Sequence, residues 1–413
     1  MLRFLLFTAA ISTSIAAVPA ESAKAIEALS AWLAKPREQR GDAGAFAAVP
    51  LTKTDAALAV KAVWQDHEAR IRAERAEEMA KKTVRAGGKE MRFETVAFGS
   101  REAAPKSGRS LFISMHGGGG APASLNDDQW KNQVALARAY KPAEGLYVAP
   151  RAPTNTWNLW HEAHIDPLFA RLIENLIVLE NVNPDRVYIL GYSAGGDGVY
   201  QLAPRMADHL AAAAMMAGHP NETRPDGLRN VPFAIQAGEL DSAYRRSAVA
   251  EKFGKQLDDL QKADPGGYAH FTELHKGKGH WMGTNDRKAV PWMEKFTRNP
   301  IPDRIVWRQD DVIHTRSYWL AVEQSQAKGG TQITASRNGQ EVVLSSGDVG
   351  KVTVLLNDAM LDLDRPVAIK SGGKVLREGI VPRTIGNILR TVAERGDPRL
   401  IFCAMAGVEG VGP

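Results

Sequence analysis

The sequence predicts an α/β protein on a doubly wound, mostly parallel sheet, with a helical N-terminal arm and a small β-rich C-terminal module. Three observations predict it. From about residue 88, short apolar runs such as Ser110–Met115, Val187–Leu190 and Phe233–Ala237 alternate with longer stretches of helical periodicity. Strands apolar on both faces, separated by crossover helices, make a covered parallel sheet. Between a strand-like run, Arg186–Leu190, and a glycine-rich helix start lies Gly191-Tyr192-Ser193-Ala194-Gly195, the composition of a tight strand-to-helix turn. Past Pro300-Ile301-Pro302 the helices give way to short runs separated by hairpin signals.

Residues 1–20 read as a signal peptide. Arg3 supplies the positive start, Phe4 to Ile15 is mostly apolar, and Val18-Pro19-Ala20 offers a small-residue cleavage site. Cleavage after Ala16 or Ala17 is the alternative. The stretch is short for a membrane span, so export to a periplasm or beyond is expected. Residues 21–87 form the arm, with a short helix over Ala23 to Ala34 and a long one over 55–84. In the long helix Val60, Trp64, His67 and Ile71 share a face, while Glu77–Lys81 and Glu78–Lys82 pair at i,i+4.

Residues 88–300 carry strands at Met91–Phe98, Ser110–Met115, Gly145–Ala149, Val187–Leu190, Ala211–Met216, Phe233–Ala237 and Ala269–Leu274. Helices fall between them at Asp127–Tyr140, Pro167–Val182, Gly196–Asp208, Tyr244–Lys262 and Lys288–Thr297. Asp166 is the expected N-cap of the second, with Pro167 in its first turn. Residues 301–413 hold strand-like runs at 304–307, 315–322, 332–336, 341–344, 352–356, 367–370 and 374–377. Asn338-Gly339 and Gly372-Gly373 mark turns, and one helix covers Arg383–Arg395.

Composition excludes several classes. The 413 residues are 44% hydrophobic and 24% charged, ordinary for a soluble globular protein. The net charge of +5, one less without Arg3, is mild and argues against nucleic acid as a partner. No later segment is long and apolar enough for stable membrane insertion. The single cysteine, Cys403, precludes an internal disulfide and sits in the apolar run Leu400–Met405, where a buried structural thiol is expected.

The glycine-flanked serine is weak evidence alone: chance supplies G-x-S-x-G in a chain like this roughly one time in six. Its surroundings strengthen it. A serine nucleophile needs a base to take its proton and a carboxylate to orient that base, and in an open parallel sheet such groups belong at the carboxyl ends of strands. Asp241 ends the run Phe233–Asp241, and His280 lies in the flexible loop Gly277–Trp281 after the next strand. Glu239 competes with Asp241, but the carboxylate must reach past the turn toward the histidine. His219 could line the site and His275 ends the last strand, yet the base should follow the acid's strand. His67 and His270 read as satisfied structural groups. The strand Ser110–Met115 runs into His116-Gly117-Gly118-Gly119-Gly120, where bare backbone can approach substrate and present N–H groups. Gly118 is the expected oxyanion donor, Gly119 the runner-up, and Ala194 N–H the second donor.

The order of these parts resembles the α/β-hydrolases, and most of all secreted serine esterases of the polyhydroxybutyrate-depolymerase, feruloyl-esterase and phospholipase/carboxylesterase type. Asn183–Tyr188 before the elbow strand is also similar to that group. The resemblance covers about residues 90–298, not the arm or the C-terminal module. It implies an acyl-enzyme on Ser193, made by His280 and Asp241 and acting on a small-molecule or polymer ester, with no cofactor. A prolyl-oligopeptidase-type serine peptidase shares fold and triad order, and a polysaccharide- or surface-binding protein on the same scaffold is the third reading.

The loop Trp157-Asn158-Leu159-Trp160-His161-Glu162-Ala163-His164 offers Trp157 and Trp160, with Trp281 beside His280, as a substrate wall; a packed loop is the alternative. His161 and His164 are spaced i,i+3, not the i,i+4 of a helical zinc motif, and lack an obvious third ligand, so no metal is expected.

Overall fold

A computed structural model describes residues 19–99 and 105–413. The apolar stretch read as a signal lies outside the described residues, except Pro19 and Ala20, which open the first helix. The arm is α1 (Pro19–Leu33) and α2 (Lys53–Ala80). Thr52 caps α2 by accepting from Asp55 N. The helix stops four residues before the expected end, at a left-handed Lys82, because the chain turns into a hairpin. Its strands are β1 (Thr83–Ala86) and β2 (Lys89–Phe98), joined through Gly87-Gly88, both with positive φ. Sequence reading had absorbed β1 into the helix because the charged pairs of its last turns continued the helical pattern.

There follow β3 (Arg109–Met115), α3 (Ala123–Tyr140), β4 (Gly145–Pro150), α4 (Ile165–Glu180), β5 (Val182–Tyr192), α5 (Ala194–Arg205), β6 (Ala212–Met216), β7 (Phe233–Gly238), α6 (Arg246–Ala263), β8 (His270–His275) and α7 (Ala289–Met293). The eight strands lie in the order β1-β2-β4-β3-β5-β6-β7-β8, with β2 antiparallel to both neighbours and all later pairs parallel. Side chains alternate along the central strands. Leu111, Ile113 and Ile189 pack with α4, α5 and α6 on one face, while Phe112, Tyr188 and Leu190 pack with α3 and α7 on the other. A doubly wound sheet with this order and a single reversed strand is the α/β-hydrolase fold.

Asp166 does not cap α4. The helix begins one residue earlier, and the carboxylate instead holds Arg205 at 3.0 Å and His314 at 2.8 Å. The helix expected over 288–297 is only the five residues of α7.

The remainder adds β9 (Arg304–Arg308), β10 (Arg316–Ser317), β11 (Leu320–Ala321), β12 (Gln332–Asn338), β13 (Glu341–Ser345), β14 (Lys351–Leu356), β15 (Val367–Ser371), β16 (Lys374–Gly379), α8 (Ile385–Arg395) and β17 (Ala404–Glu409). They form a four-stranded sheet, β10-β11-β14-β17, and a five-stranded one, β16-β15-β13-β12-β9. The run expected as one strand over 315–322 is broken at Tyr318, whose φ is 50°. The apolar run with Cys403 leads into β17, a strand missed in the sequence; burial pushes the Cys403 thiol up to about 12.

This part shares one apolar core with the α4–α5–α6 face of the large sheet, and α2 packs against both α4 and α8. Buried ions cross the same junction. Arg298, at the end of the large domain, bonds Asp185 near the start of β5 and Asp397 after α8, at 2.9 and 2.7 Å. His67 bonds Glu174 of α4 at 2.7 Å, and Arg75 bonds the same carboxylate.

Candidate active site

Ser193 sits between β5 and α5 with φ 58° and ψ −121°, a conformation a serine adopts only under constraint. The neighbouring backbone leaves no room for side chains. A Cβ on Gly191 would lie 2.2 Å from Gly195 O, and one on Gly195 would lie 2.1 Å from Met115 O. Ser193 N–H is anchored on Met216 O at 2.9 Å, across to β6. The turn therefore lifts the hydroxyl clear of the sheet at the carboxyl ends of β3, β5 and β6.

Ser193 Oγ is 2.9 Å from His280 Nε2, and His280 Nδ1 is 2.7 Å from Asp241 Oδ2. Asp241 is almost wholly buried, whereas the imidazole is partly open to solvent. The two loops that carry them touch. A Cβ on Gly238 would fall 2.0 Å from Gly279 O, and Leu240 N–H donates to Lys278 O at 2.8 Å. Glu239 faces away, accepting from Gly277 N at 2.8 Å. His219 is turned to its own loop, its Nδ1 accepting from Asn221 N at 2.9 Å, and His275 is buried with Nε2 2.9 Å from Gln236 Oε1.

The glycine run after β3 passes over the elbow. A Cβ on Gly117 would sit 3.2 Å from Ser193 Cβ. Gly119 N–H is committed to Asn126 Oδ1 at 3.1 Å, and Asn126 Nδ2 returns a bond to Gly119 O at 3.0 Å. Gly118, the first candidate, makes no such bond to Asn126, and Ala194 N–H opens α5 with no intrahelical acceptor. His116 stiffens the loop's root. Its Nδ1–H faces Gly117 O at 2.5 Å and its Nε2 accepts Ala152 N–H at 3.1 Å, which fixes a neutral tautomer. Burial pulls its pKa down to about 4, so it stays neutral at ordinary pH.

The tryptophans separate. Trp160 is fully buried, donates to His116 O at 2.8 Å and packs edge-on against His116, so it is core and not substrate wall. The loop offers no period to reveal this: Leu159 and Trp160 turn inward while Trp157 turns out. Trp157 and Trp281 are both exposed. Beside Ser193 opens a cleft of about 530 Å³, lined by Gly117, Gln129, Leu136, Tyr192, His280 and Trp281 among others. The loop histidines have structural neighbours: His164 Nδ1 lies 3.4 Å from Glu162, whose carboxylate also takes the Thr156 hydroxyl at 2.5 Å.

Three residues at the site escaped sequence reading. Tyr192, inside the elbow motif, donates its hydroxyl to His280 O at 2.6 Å and accepts Met282 N–H at 3.0 Å, fastening the histidine loop. Asn126 fixes the glycine loop from α3. Arg246, at the start of α6, stands 3.9 Å from Asp241 Oδ1. None carries a local signal; each is recruited by tertiary packing.

No protein-family model matches the chain. A stretch of 145 residues, 32% of the chain, is 33% identical to the “Putative esterase NocK” of Nocardia uniformis subsp. tsuyamanensis, and spans 40% of that protein. Among solved structures, a thermostable esterase overlaps 52% of this chain and 62% of its own length, at 19% identity and a TM-score of 0.39. The LpqC poly(3-hydroxybutyrate) depolymerase from Bordetella parapertussis overlaps 52% and 87%, at 17% identity and a TM-score of 0.37.

Proposed function

We propose that this chain is an exported serine hydrolase that cleaves carboxylic esters through a covalent acyl-enzyme on Ser193. The observation that carries the reading is the continuous relay from Ser193 Oγ through His280 to buried Asp241. His280 Nε2 takes the hydroxyl proton as Oγ attacks the ester carbonyl. Asp241, holding Nδ1–H, orients the ring and stabilises the imidazolium that forms. Gly118 and Ala194 N–H groups receive the oxyanion, aided by the positive end of α5. The imidazolium returns its proton to the departing alcohol, and the ester's C–O bond breaks. Water then attacks the acyl carbonyl, giving up a proton to His280, and the acid leaves as Ser193 is restored.

The esterase description of NocK, for the shared segment, supports the same chemistry. The positive and apolar start of the sequence supports export to a periplasm or the exterior. The substrate is a small-molecule or polymer ester lying in the cleft beside Ser193; the mechanism calls for neither nucleic acid nor membrane insertion, and no helix among the described residues is long and apolar enough to cross a bilayer.

The test is fluorophosphonate labelling of wild type and Ser193→Ala, followed by an ester panel of graded acyl length. Labelling confined to wild type, with kcat lowered by about 10⁶ in the variant, is expected. Undiminished ester hydrolysis by pure Ser193→Ala would sink the assignment.

A further inference from the structure

Exposed aromatic side chains are unevenly placed on this molecule. Among the described residues, Trp157, Tyr244 and Trp281 are the only large aromatics that are mostly solvent-exposed, at 55%, 60% and 56%. All three stand on loops that bear or abut the candidate catalytic groups. Trp281 follows His280 and lines the cleft beside Ser193. Trp157 and Tyr244 form a second surface outside that cleft.

That second surface is built. The rings of Trp157 and Tyr244 meet at 5.5 Å between centroids. The Arg246 guanidinium lies 4.7 Å from the Tyr244 ring centroid, so the tyrosine is held from both sides. Tyr244 and Arg245 both adopt left-handed backbone, with φ 53° and 58°. Two successive non-glycine residues in that region are strained, and such strain persists only where surrounding structure enforces it. Tyr244, three residues after Asp241, is exposed, and its ring meets Trp157. Trp157 in turn packs on the glycine loop, its Cε3 3.6 Å from where a Cβ of Gly119 would be. The pair thus bridges the loop of the acid and the loop of the oxyanion donors.

We propose that the Trp157–Tyr244 pair is a specificity surface that stacks a flat, weakly hydrated ring face of the ester substrate, separate from the group held in the cleft beside Trp281. This rests on the acyl-transfer reading of Ser193. An aromatic ring and the apolar face of a sugar share the chemistry; Trp157, more than half exposed, offers surface to either. Arg246, facing both Tyr244 and Asp241, ties the position of this surface to that of the triad acid.

The experiment compares kcat/KM for benzyl acetate, a glucosyl acetate and ethyl acetate in wild type, Trp157→Ala, Tyr244→Ala and Tyr244→Phe. Only ratios to ethyl acetate are read, so a general loss from loop disturbance cancels. At least one ring ester should lose about tenfold against ethyl acetate in both alanine variants, and Tyr244→Phe should keep the wild-type ratio. A benzyl loss identifies an aromatic ligand, a glucosyl loss a sugar. Unchanged ratios in both alanine variants overturn the surface while leaving the Ser193 reading intact. Calorimetric binding of benzyl acetate and the glucosyl acetate to Ser193→Ala protein gives a readout without turnover. If neither affinity falls when Tyr244→Ala is added, the proposal fails whether or not the wild type cleaves esters.

Discussion

Tyr192→Phe isolates what a single hydroxyl does for the histidine loop. In the wild type that oxygen closes two bonds at once, 2.6 Å to His280 O and 3.0 Å from Met282 N. The loop it fastens is glycine-rich, with Gly277, Gly279 and Gly283, and the Asp241 loop holds its backbone only at Gly277 and Lys278, before the histidine. The phenylalanine ring fills the same space, and the change leaves the buried Met282 N–H and the His280 carbonyl without partners. An unpaired buried polar group costs about 1–3 kcal/mol. If about 2 kcal/mol of that falls on the conformation that aligns the imidazole, the aligned population drops about thirtyfold, since 1.36 kcal/mol is a factor of ten. The expected result is kcat/KM on a short-chain p-nitrophenyl ester lowered by about ten- to thirtyfold, mostly in kcat. The fluorophosphonate labelling rate should fall in parallel, because that reaction also needs the base. A purely structural hydroxyl would lower Tm and leave both rates alone. A kcat/KM within twofold of wild type refutes the clamp.

Asp241→Asn should lower kcat by about 10⁴ through the wrong histidine tautomer, while Glu239→Gln, whose carboxylate faces Gly277 N, should stay within about twofold; steady-state kinetics of the pair decide which carboxylate is the acid. Burial pushes the Asp197 carboxyl up to about 6, above its unfolded value of about 3.9. The folded state then binds the proton more tightly, so stability falls between about pH 4 and 6 and stays lower above. Asp197→Asn removes that loss, and urea unfolding at pH 8 should show a gain of about 2–3 kcal/mol that vanishes near pH 4; an equal gain at both pH values would refute it. Arg298→Met breaks a buried pair with Asp185 and Asp397 and should cost about 3–5 kcal/mol in urea unfolding. Arg298 holds the Asp397 carboxyl below its usual range, so the wild-type advantage should shrink as pH falls below about 4. A loss under 1 kcal/mol at neutral pH would mean the network adds little.

Much of the large sheet was legible because its signals are redundant. Ser110–Met115 and Phe233–Ala237 are mostly apolar, bounded by glycine or proline, and separated by helices, so composition, length and turn chemistry agree. The elbow was legible for a steric reason that the coordinates make explicit: only glycine fits at 191 and 195. What failed shares a different cause. β1 was lost to the helix before it because the charged pairs ending α2 mimic continued helix. Asp166 looked like a cap, but Arg205 and His314 claim it, and neither is near in sequence. Trp160 looked like substrate wall because a loop offers no period from which to tell an inward ring from an outward one.

Left-handed residues serve more than one purpose in this backbone. Lys82, Lys141 and Asn181 have positive φ at the ends of α2, α3 and α4, where a left-handed residue ordinarily closes a helix. Ser193, Tyr244 and Arg245 have positive φ at the starts of α5 and α6 instead. The serine stands above the sheet in this conformation, and the tyrosine's ring meets Trp157. A sequence optimised for folding alone would place glycine or asparagine at those positions. Keeping serine and tyrosine there costs stability, and both stand on the loops around the candidate site. The same logic singles out Tyr244→Gly: relieving the strain while deleting the ring should stabilise the protein relative to Tyr244→Ala and still lose the ring-ester preference. Thermal unfolding beside the ester ratios tests this directly, and a Tyr244→Gly protein less stable than Tyr244→Ala would show that the turn is not strained.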